Sequence, residues 1–290
     1  LKKKSSSTSE RSYRSTSSKS LEETRSDTSI LSNFSLSELN FSHNFVSNTL
    51  WGSTFSSPVE DILTTNGKVL EVGCGFGYWL TEMATAYPKS EFIGADLNPQ
   101  SSCTFPPNAK IIKGDLLQLP FEDGEFDFTR ISGFSCEISD IEWEQGLSEM
   151  TRVTKRGGWI EISECDMFPQ KNTPNTKLLM DNFVDAIELR GLNGRISSKV
   201  EYILYNINQL TEIHSAIKPV LLGPRGGPTG ITLLLNMGVW FRDVCDQILT
   251  DHMGITQERY LELWQFSEEE LEKNDAEMYF YRWWGQKKLE

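Results

Sequence analysis

The sequence predicts an α/β fold with a mostly parallel, doubly wound sheet, and two observations carry that reading. Between residues 67 and 165, short apolar segments bounded by Gly, Pro or Asp alternate with stretches of helical period, as strand–helix–strand units require. The first of these segments runs directly into a glycine-rich turn, Gly73-Cys-Gly-Phe-Gly77. In open sheets of this kind, ligands bind at the carboxyl ends of the strands, where the strand order reverses.

Taken in order, residues 1 to 33 hold 12 Ser and 4 Thr, with seven basic residues against four acidic ones. So few apolar groups cannot offset the entropy of ordering, which predicts a disordered arm, with Lys2 to Lys4 as a weak import-like patch. From 34 the texture changes. The pairs Leu36/Leu39, Phe41/Phe45 and Val46/Leu50 have helical spacing and predict an amphipathic helix ending near Trp51-Gly52. A second helix is expected after Pro58, so that 34–66 forms an N-terminal helical cover.

The strand candidates are Lys68 to Val72, Glu91 to Asp96, Lys110 to Lys113, Phe126 to Ile131 and Trp159 to Ser163, with helices around Tyr78 to Ala86 and Ile141 to Thr154. Residues 67–165 are thus the expected ligand-binding core. In 166–290, Leu178 to Leu189, Lys199 to Leu210, Thr232 to Leu249 and Thr256 to Leu271 read as helices, and Glu212 to Leu222 and Met278 to Trp284 as strands.

Composition narrows the function. The 28 Lys and Arg against 41 Asp and Glu give a formal charge of −13, which repels nucleic acid and anionic membranes. No apolar run reaches the length of a bilayer span. Five scattered cysteines (Cys74, Cys103, Cys136, Cys165, Cys245) and three histidines (His43, His214, His252) contain no metal-ligand spacing and predict reduced thiols and no metal site. The expected compartment is the cytoplasm, with the nucleus as the alternative.

The chemistry is concentrated in Lys68-Val-Leu-Glu-Val-Gly-Cys-Gly-Phe-Gly-Tyr-Trp79. Glycines here let the backbone turn sharply and approach a ligand, and the following helix offers free N–H donors. Dinucleotide enzymes use G-x-G-x-x-G, whereas this turn is G-x-G-x-G with Glu71 two residues before it. A carboxylate there repels a pyrophosphate and attracts a ligand bearing an ammonium and a sulfonium. Asp96 ends the next strand, 23 residues after Gly73, where a carboxylate can accept from both ribose hydroxyls. Asp115 and Leu116 follow the third strand, where a carboxylate can take an exocyclic amine while Leu116 packs an adenine edge.

These residues resemble the class I S-adenosylmethionine-dependent methyltransferases over most of the chain from about residue 41. Val69 to Gly77 resembles the glycine motif, Asp96 the ribose acid, Asp115-Leu116 the adenine contact, and Glu149 to Ile162 the approach to the fifth strand, with Arg156 where the family usually has Pro. Leu50 to Leu63 and Arg282-Trp-Trp-Gly-Gln286 resemble an uncharacterised fungal group loosely similar to the LaeA-like proteins. The resemblance implies a Rossmann-like seven-stranded sheet, order 3-2-1-4-5-7-6, with strand seven antiparallel and extra helices between strands six and seven. It also implies S-adenosyl-L-methionine as cofactor, bound by Glu71, Gly73, Cys74, Gly75, Gly77, Asp96, Leu97, Asp115, Leu116 and Ser132.

Methyl transfer is an in-line displacement that needs positioning and desolvation more than catalytic groups. Glu137, Glu164, Asp166 and His43 are candidates for a base, none with a distinguishing spacing, so the catalytic residues stay unassigned. The fourth strand lacks an Asn/Asp-Pro-Pro-Tyr sequence and no Pro-Cys pair occurs, which disfavours nucleobase acceptors. Phe41, Phe45, Trp51, Phe55, Met180, Phe183, Trp240 and Phe241 fit closure over a small, partly apolar acceptor. The alternative expectation is a methyltransferase-fold regulator that works through a protein partner held by the Ser-rich arm, with little or no catalysis.

Overall fold

In the computed structural model, residues 33–100, 104–171, 173–195 and 197–290 are described. The expected Ser-rich arm lies outside them except for its last residue, as do Lys2 to Lys4 and Cys103. The cover consists of α1 (Asn33–Trp51) and the short α2 (Glu60–Thr65). The core runs β1 (Lys68–Val72), α3 (Tyr78–Ala86), β2 (Glu91–Asp96), β3 (Ala109–Lys113), β4 (Phe126–Ser132), α4 (Asp140–Val153) and β5 (Thr154–Cys165). It is followed by α5 (Pro174–Glu188), α6 (Ser197–Asn206), β6 (Leu210–Leu221), α7 (Gly227–Val239), α8 (Asp246–Met253), α9 (Gln257–Lys273) and β7 (Glu277–Lys287).

The seven strands form one sheet in the order β3-β2-β1-β4-β5-β7-β6. The first five are parallel, and β7 inserts antiparallel between β5 and β6. The central strands are apolar on both faces because helices cover both. On one face Leu70, Val72, Ile131, Ile160 and Ile162 pack under Trp143 and Leu147 of α4 and Val200 and Ile203 of α6. Helix α4 is set by a capping box in which Ser139 and Glu142 satisfy each other's backbone N–H groups, and its buried Trp143, Leu147 and Met150 keep helical spacing. On the other face Val69, Phe92, Phe128 and Trp159 pack under Trp79, Leu80 and Met83 of α3 and Leu63 of α2. A third cluster joins α5, α7, α8 and α9 through Phe183, Phe241 and Trp264.

Two local expectations change. The helix expected over Thr232 to Leu249 is interrupted by a π-helical turn at Trp240–Val244, closed by Cys245 N–H donating to Trp240 O at 2.9 Å. The apolar period continues through the break, so the pattern does not reveal it. At the β5 entry, Gly157 alone of the Gly157-Gly158 pair is left-handed (φ 75°), within a strand that begins at Thr154, five residues before the expected Trp159.

Candidate functional site

Beyond β1 the chain turns through Gly73, Gly75 and Gly77 at φ 65°, 51° and 72°, a succession that residues with a Cβ rarely adopt. Gly77 caps α3 without a side-chain partner. The turn is fixed from β2: Gly73 N–H donates to Ala95 O at 2.7 Å, and Gly75 N–H to one carboxylate oxygen of Asp96 at 2.9 Å. The other Asp96 oxygen accepts from Asn98 N–H at 2.9 Å. Asp96 is half-buried, and Leu97 beside it is 39% exposed, an apolar side chain open to solvent next to a held carboxylate. Cys74 turns its side chain inward, with Sγ 2.5 Å from where a Cβ on Gly94 would stand, so it presents only backbone to the turn, and burial drives its thiol well above the usual range.

After β3, half-buried Asp115 accepts from Leu117 N–H at 3.0 Å, while Leu116 drops into the core against Gly146 of α4, 2.6 Å from where a Cβ would be. Ser132, at the end of β4, is 3.3 Å from Nε2 of His43 on α1. Burial and the positive charge of Arg130 push His43 down to about 4.

The Glu71 carboxylate, expected to attract a cationic ligand beside the turn, is already paired within the protein. Arg130 Nη1 donates to Glu71 Oε1 at 2.7 Å, both side chains are buried, and the guanidinium lies 4.5 Å over the Trp79 ring. Burial nonetheless pushes Glu71 up to about 7, against the pull of Arg130. Its Oε2 has no protein hydrogen-bond partner. The ring of Phe134 lies on Gly73, 2.0 Å from where a Cβ would be.

Two of the four candidate bases are committed elsewhere. Glu164 is buried and accepts from the amides of Phe134 (2.8 Å) and Ser135 (3.0 Å) and from the Ser135 hydroxyl (2.7 Å), so it pins the loop after β4, and burial pushes it up to about 7. Asp166 accepts from the Ser197 and Tyr281 hydroxyls at 2.8 and 2.9 Å. Glu137 is exposed, which leaves His43 beside Ser132. Of the aromatic and Met side chains expected over the acceptor, Met180, Phe183 and Phe241 are core, Trp51, Phe55 and Trp240 are partly buried, and Phe45 is 43% exposed; Phe41's side chain lies outside the described residues.

Sequence reasoning missed Arg130 and Phe134. The signal for Arg130 was present: a charged residue inside a mostly buried strand, two positions before its end, just as Glu71 lies one position before the end of β1. Among the described residues, no three His, Cys, Asp or Glu side chains are grouped to hold a metal, and no helix is long and apolar enough to cross a membrane.

Sheet order and the acid-held glycine turn together define the Rossmann-like methyltransferase fold. Residues 69–158 match the family model described as a methyltransferase domain. Methyltransferase str2 of Strobilurus tenacellus is 26% identical over 152 residues, covering 51% of this chain and 54% of that protein. Methyltransferase str3 of the same organism is 22% identical over 179 residues, covering 57% and 63%. A demethylmenaquinone methyltransferase of Staphylococcus aureus is 33% identical over 104 residues, covering 33% and 42%. The chain thus spans between two fifths and two thirds of these relatives' lengths. Among solved structures, Haemonchus contortus phosphoethanolamine N-methyltransferase 2 is 16% identical, with a TM-score of 0.49 over 84% of this chain and 56% of that one.

Proposed function

We propose that this chain is an S-adenosylmethionine-dependent methyltransferase acting on a small, partly apolar acceptor. The observation that carries the reading is the turn of three left-handed glycines held by Asp96 at the carboxyl ends of β1 and β2. Its residues fit such a cofactor: the turn offers Cβ-free backbone, Asp96 is a fixed and half-exposed acceptor for ribose hydroxyls, Leu97 is an open apolar surface for a base, and Glu71 keeps one buried oxygen without a partner. Asp115 is the acceptor for an exocyclic amine, with the Leu116 backbone beside it. The Phe134 ring has to leave Gly73 for a ligand to approach that glycine.

The bound cofactor supplies a methyl group activated by its sulfonium. The chain's own part is to orient and dry the site. Phe134, lying on Gly73, gives it an apolar wall, and His43 beside Ser132 is a neutral imidazole at neutral pH that can accept a hydrogen bond from an acceptor hydroxyl. Demethylmenaquinone, named for one relative, is a small-molecule acceptor of the kind proposed. Four buried free thiols fit a reducing, intracellular setting.

Calorimetric titration with S-adenosylmethionine and S-adenosylhomocysteine is the test. Micromolar binding that Asp96→Ala weakens supports the reading and opens a screen with labelled methyl donor; no binding to either compound refutes it.

A further inference from the structure

The face of the sheet under the N-terminal cover carries a row of alternating buried charges, one on each of four neighbouring strands: Glu71 on β1, Arg130 on β4, Glu161 on β5 and Arg282 on β7. Glu71 is opposite Arg130 in the strand register, and Arg130 opposite Glu161. Arg282 lies two register pairs from Glu161, on the same face and opposite Ser163. All four are at most 6% exposed. The contacts are close at one end and slack at the other: Arg130 Nη1 to Glu71 Oε1 is 2.7 Å, whereas Arg282 Nε to Glu161 Oε1 is 3.9 Å.

The two ends of the row hold different things. Glu71 lies two residues from Gly73, at the foot of the glycine turn. Glu161 and Arg282 hold the cover. Glu161 Oε2 accepts from Ser56 N–H, Ser57 N–H and the Ser57 hydroxyl, each at 2.8 Å. Arg282 donates to Ser53 O at 3.0 Å and to the Ser47 hydroxyl at 3.4 Å, and its guanidinium lies 4.9 Å over Trp51. A second strut runs alongside, because Trp79, the ring under Arg130, donates its indole N–H to Thr54 O at 2.9 Å.

Such a row is a poor way to gain stability. Each of the four side chains keeps one buried polar atom without a protein partner: Glu71 Oε2, Arg130 Nε, Glu161 Oε1 and Arg282 Nε. A partly satisfied buried ionic network is generally no more stable than apolar packing of the same volume. Its distinctive property is mechanical and electrostatic: moving one charge changes what the next one faces.

We propose that Arg130 and Glu161 are positioning residues that couple the cover, residues 47–57, to the glycine turn, so that docking of the cover and binding at the turn favour each other. The proposal rests on the methyl-donor reading of that turn. Coupling of this kind is reciprocal: whatever tightens the turn must tighten the cover by the same factor.

The experiment is hydrogen exchange of the full chain with and without S-adenosylhomocysteine, read at the amides of Ser56 and Ser57, alongside calorimetric affinity. In the native protein S-adenosylhomocysteine should slow exchange at these two amides. Glu161→Gln should speed that exchange and weaken S-adenosylhomocysteine binding roughly tenfold. Ser57→Ala, which leaves the sheet intact, is the second variant and should shift both readouts the same way by a smaller factor. If the native protein binds S-adenosylhomocysteine but exchange at Ser56 and Ser57 does not change, or if the variants release the cover while affinity holds within about twofold, the coupling is refuted and the row is structural only. If the native protein does not bind S-adenosylhomocysteine at all, the methyl-donor reading itself falls, and the coupling with it.

Discussion

The two faces of the sheet are built on different principles. Under α4 and α6 the core is apolar over most of the strands' length, with Leu70, Ile131, Ile160, Ile162 and Trp283 against Trp143 and Leu147, interrupted by the Thr129 hydroxyl, which meets that of Thr154, and by Glu164 at the end of β5. Under α1 to α3 it is apolar only toward the amino ends, at Val69, Phe92, Phe128 and Trp159; it then becomes the charged row and, at the carboxyl ends, Ser132 and Ser163. The first face is where burial outweighs chain entropy, and the second gives up part of that gain where a ligand has to be held. The same sheet thus separates the work of folding from the work of binding by face and by height along the strands.

That contrast can be broken most sharply at Trp143, which is fully buried on the apolar face. Trp143→Ala should lower the unfolding free energy by about 3–5 kcal/mol, the usual cost of removing a large aromatic from a core, measured by urea denaturation. Trp143 also meets the Phe134 ring edge-on, centroids 6.4 Å apart, so cofactor affinity of the fraction still folded should shift only as far as that ring is loosened; a large loss of affinity would mean that the faces are not independent.

On the charged face Arg130→Met should cost less, about 3 kcal/mol, although removing one partner of a buried pair generally costs about 3–5 kcal/mol. The reason is Glu71, which burial has already brought to about 7, so that it takes up a proton readily when its partner is lost. The double variant Glu71→Gln/Arg130→Met should be more stable than Arg130→Met alone. If the double variant is the less stable, the pair is a true stabilising element and the contrast between the faces weakens.

Asp96→Ala tests the binding side alone. The carboxylate sits at a strand end, holding the amides of Gly75 and Asn98, so stability should change little while cofactor affinity falls by about 1–3 kcal/mol, the cost of leaving polar partners unpaired. An unchanged dissociation constant would remove Asp96 from the site.

How much of this was legible follows the same division. The strands from β1 to β5, the glycine turn and the carboxylates at three strand ends were readable because each depends on local pattern: a short apolar run, a turn that needs left-handed residues, an acid at a boundary. The sheet order came from family resemblance, since no local pattern states which strand lies beside which. The charged row was not read, because its meaning depends on register: Glu71, Arg130, Glu161 and Arg282 are far apart in the chain and become neighbours only when four strands align. Phe134 over Gly73 and the break at Trp240–Val244 escaped for related reasons: one is a contact across the fold, the other a π-helical turn that leaves the apolar period intact.

A further effect lies in the pH dependence of stability, where titratable groups on and around the binding face oppose each other. His43 is pushed from 6.5 to about 4, so between those values the folded chain binds fewer protons than the unfolded one, and this contribution to stability grows as pH rises through that window. Glu71 and Glu164 are pushed from 4.5 to about 7, so the folded chain binds more protons than the unfolded one, and their contribution is lost as pH rises from 4.5 through 7. Between 4.5 and 6.5 the one rising trend offsets only part of the two falling ones. His43→Gln removes only the rising one, by at most one proton, or about 1.4 kcal/mol per pH unit. Chemical denaturation of the variant across pH 4.5 to 6.5 should therefore show stability declining with pH more steeply than in the native chain. Parallel curves would show that the folded chain does not lower the His43 imidazole below its ordinary range.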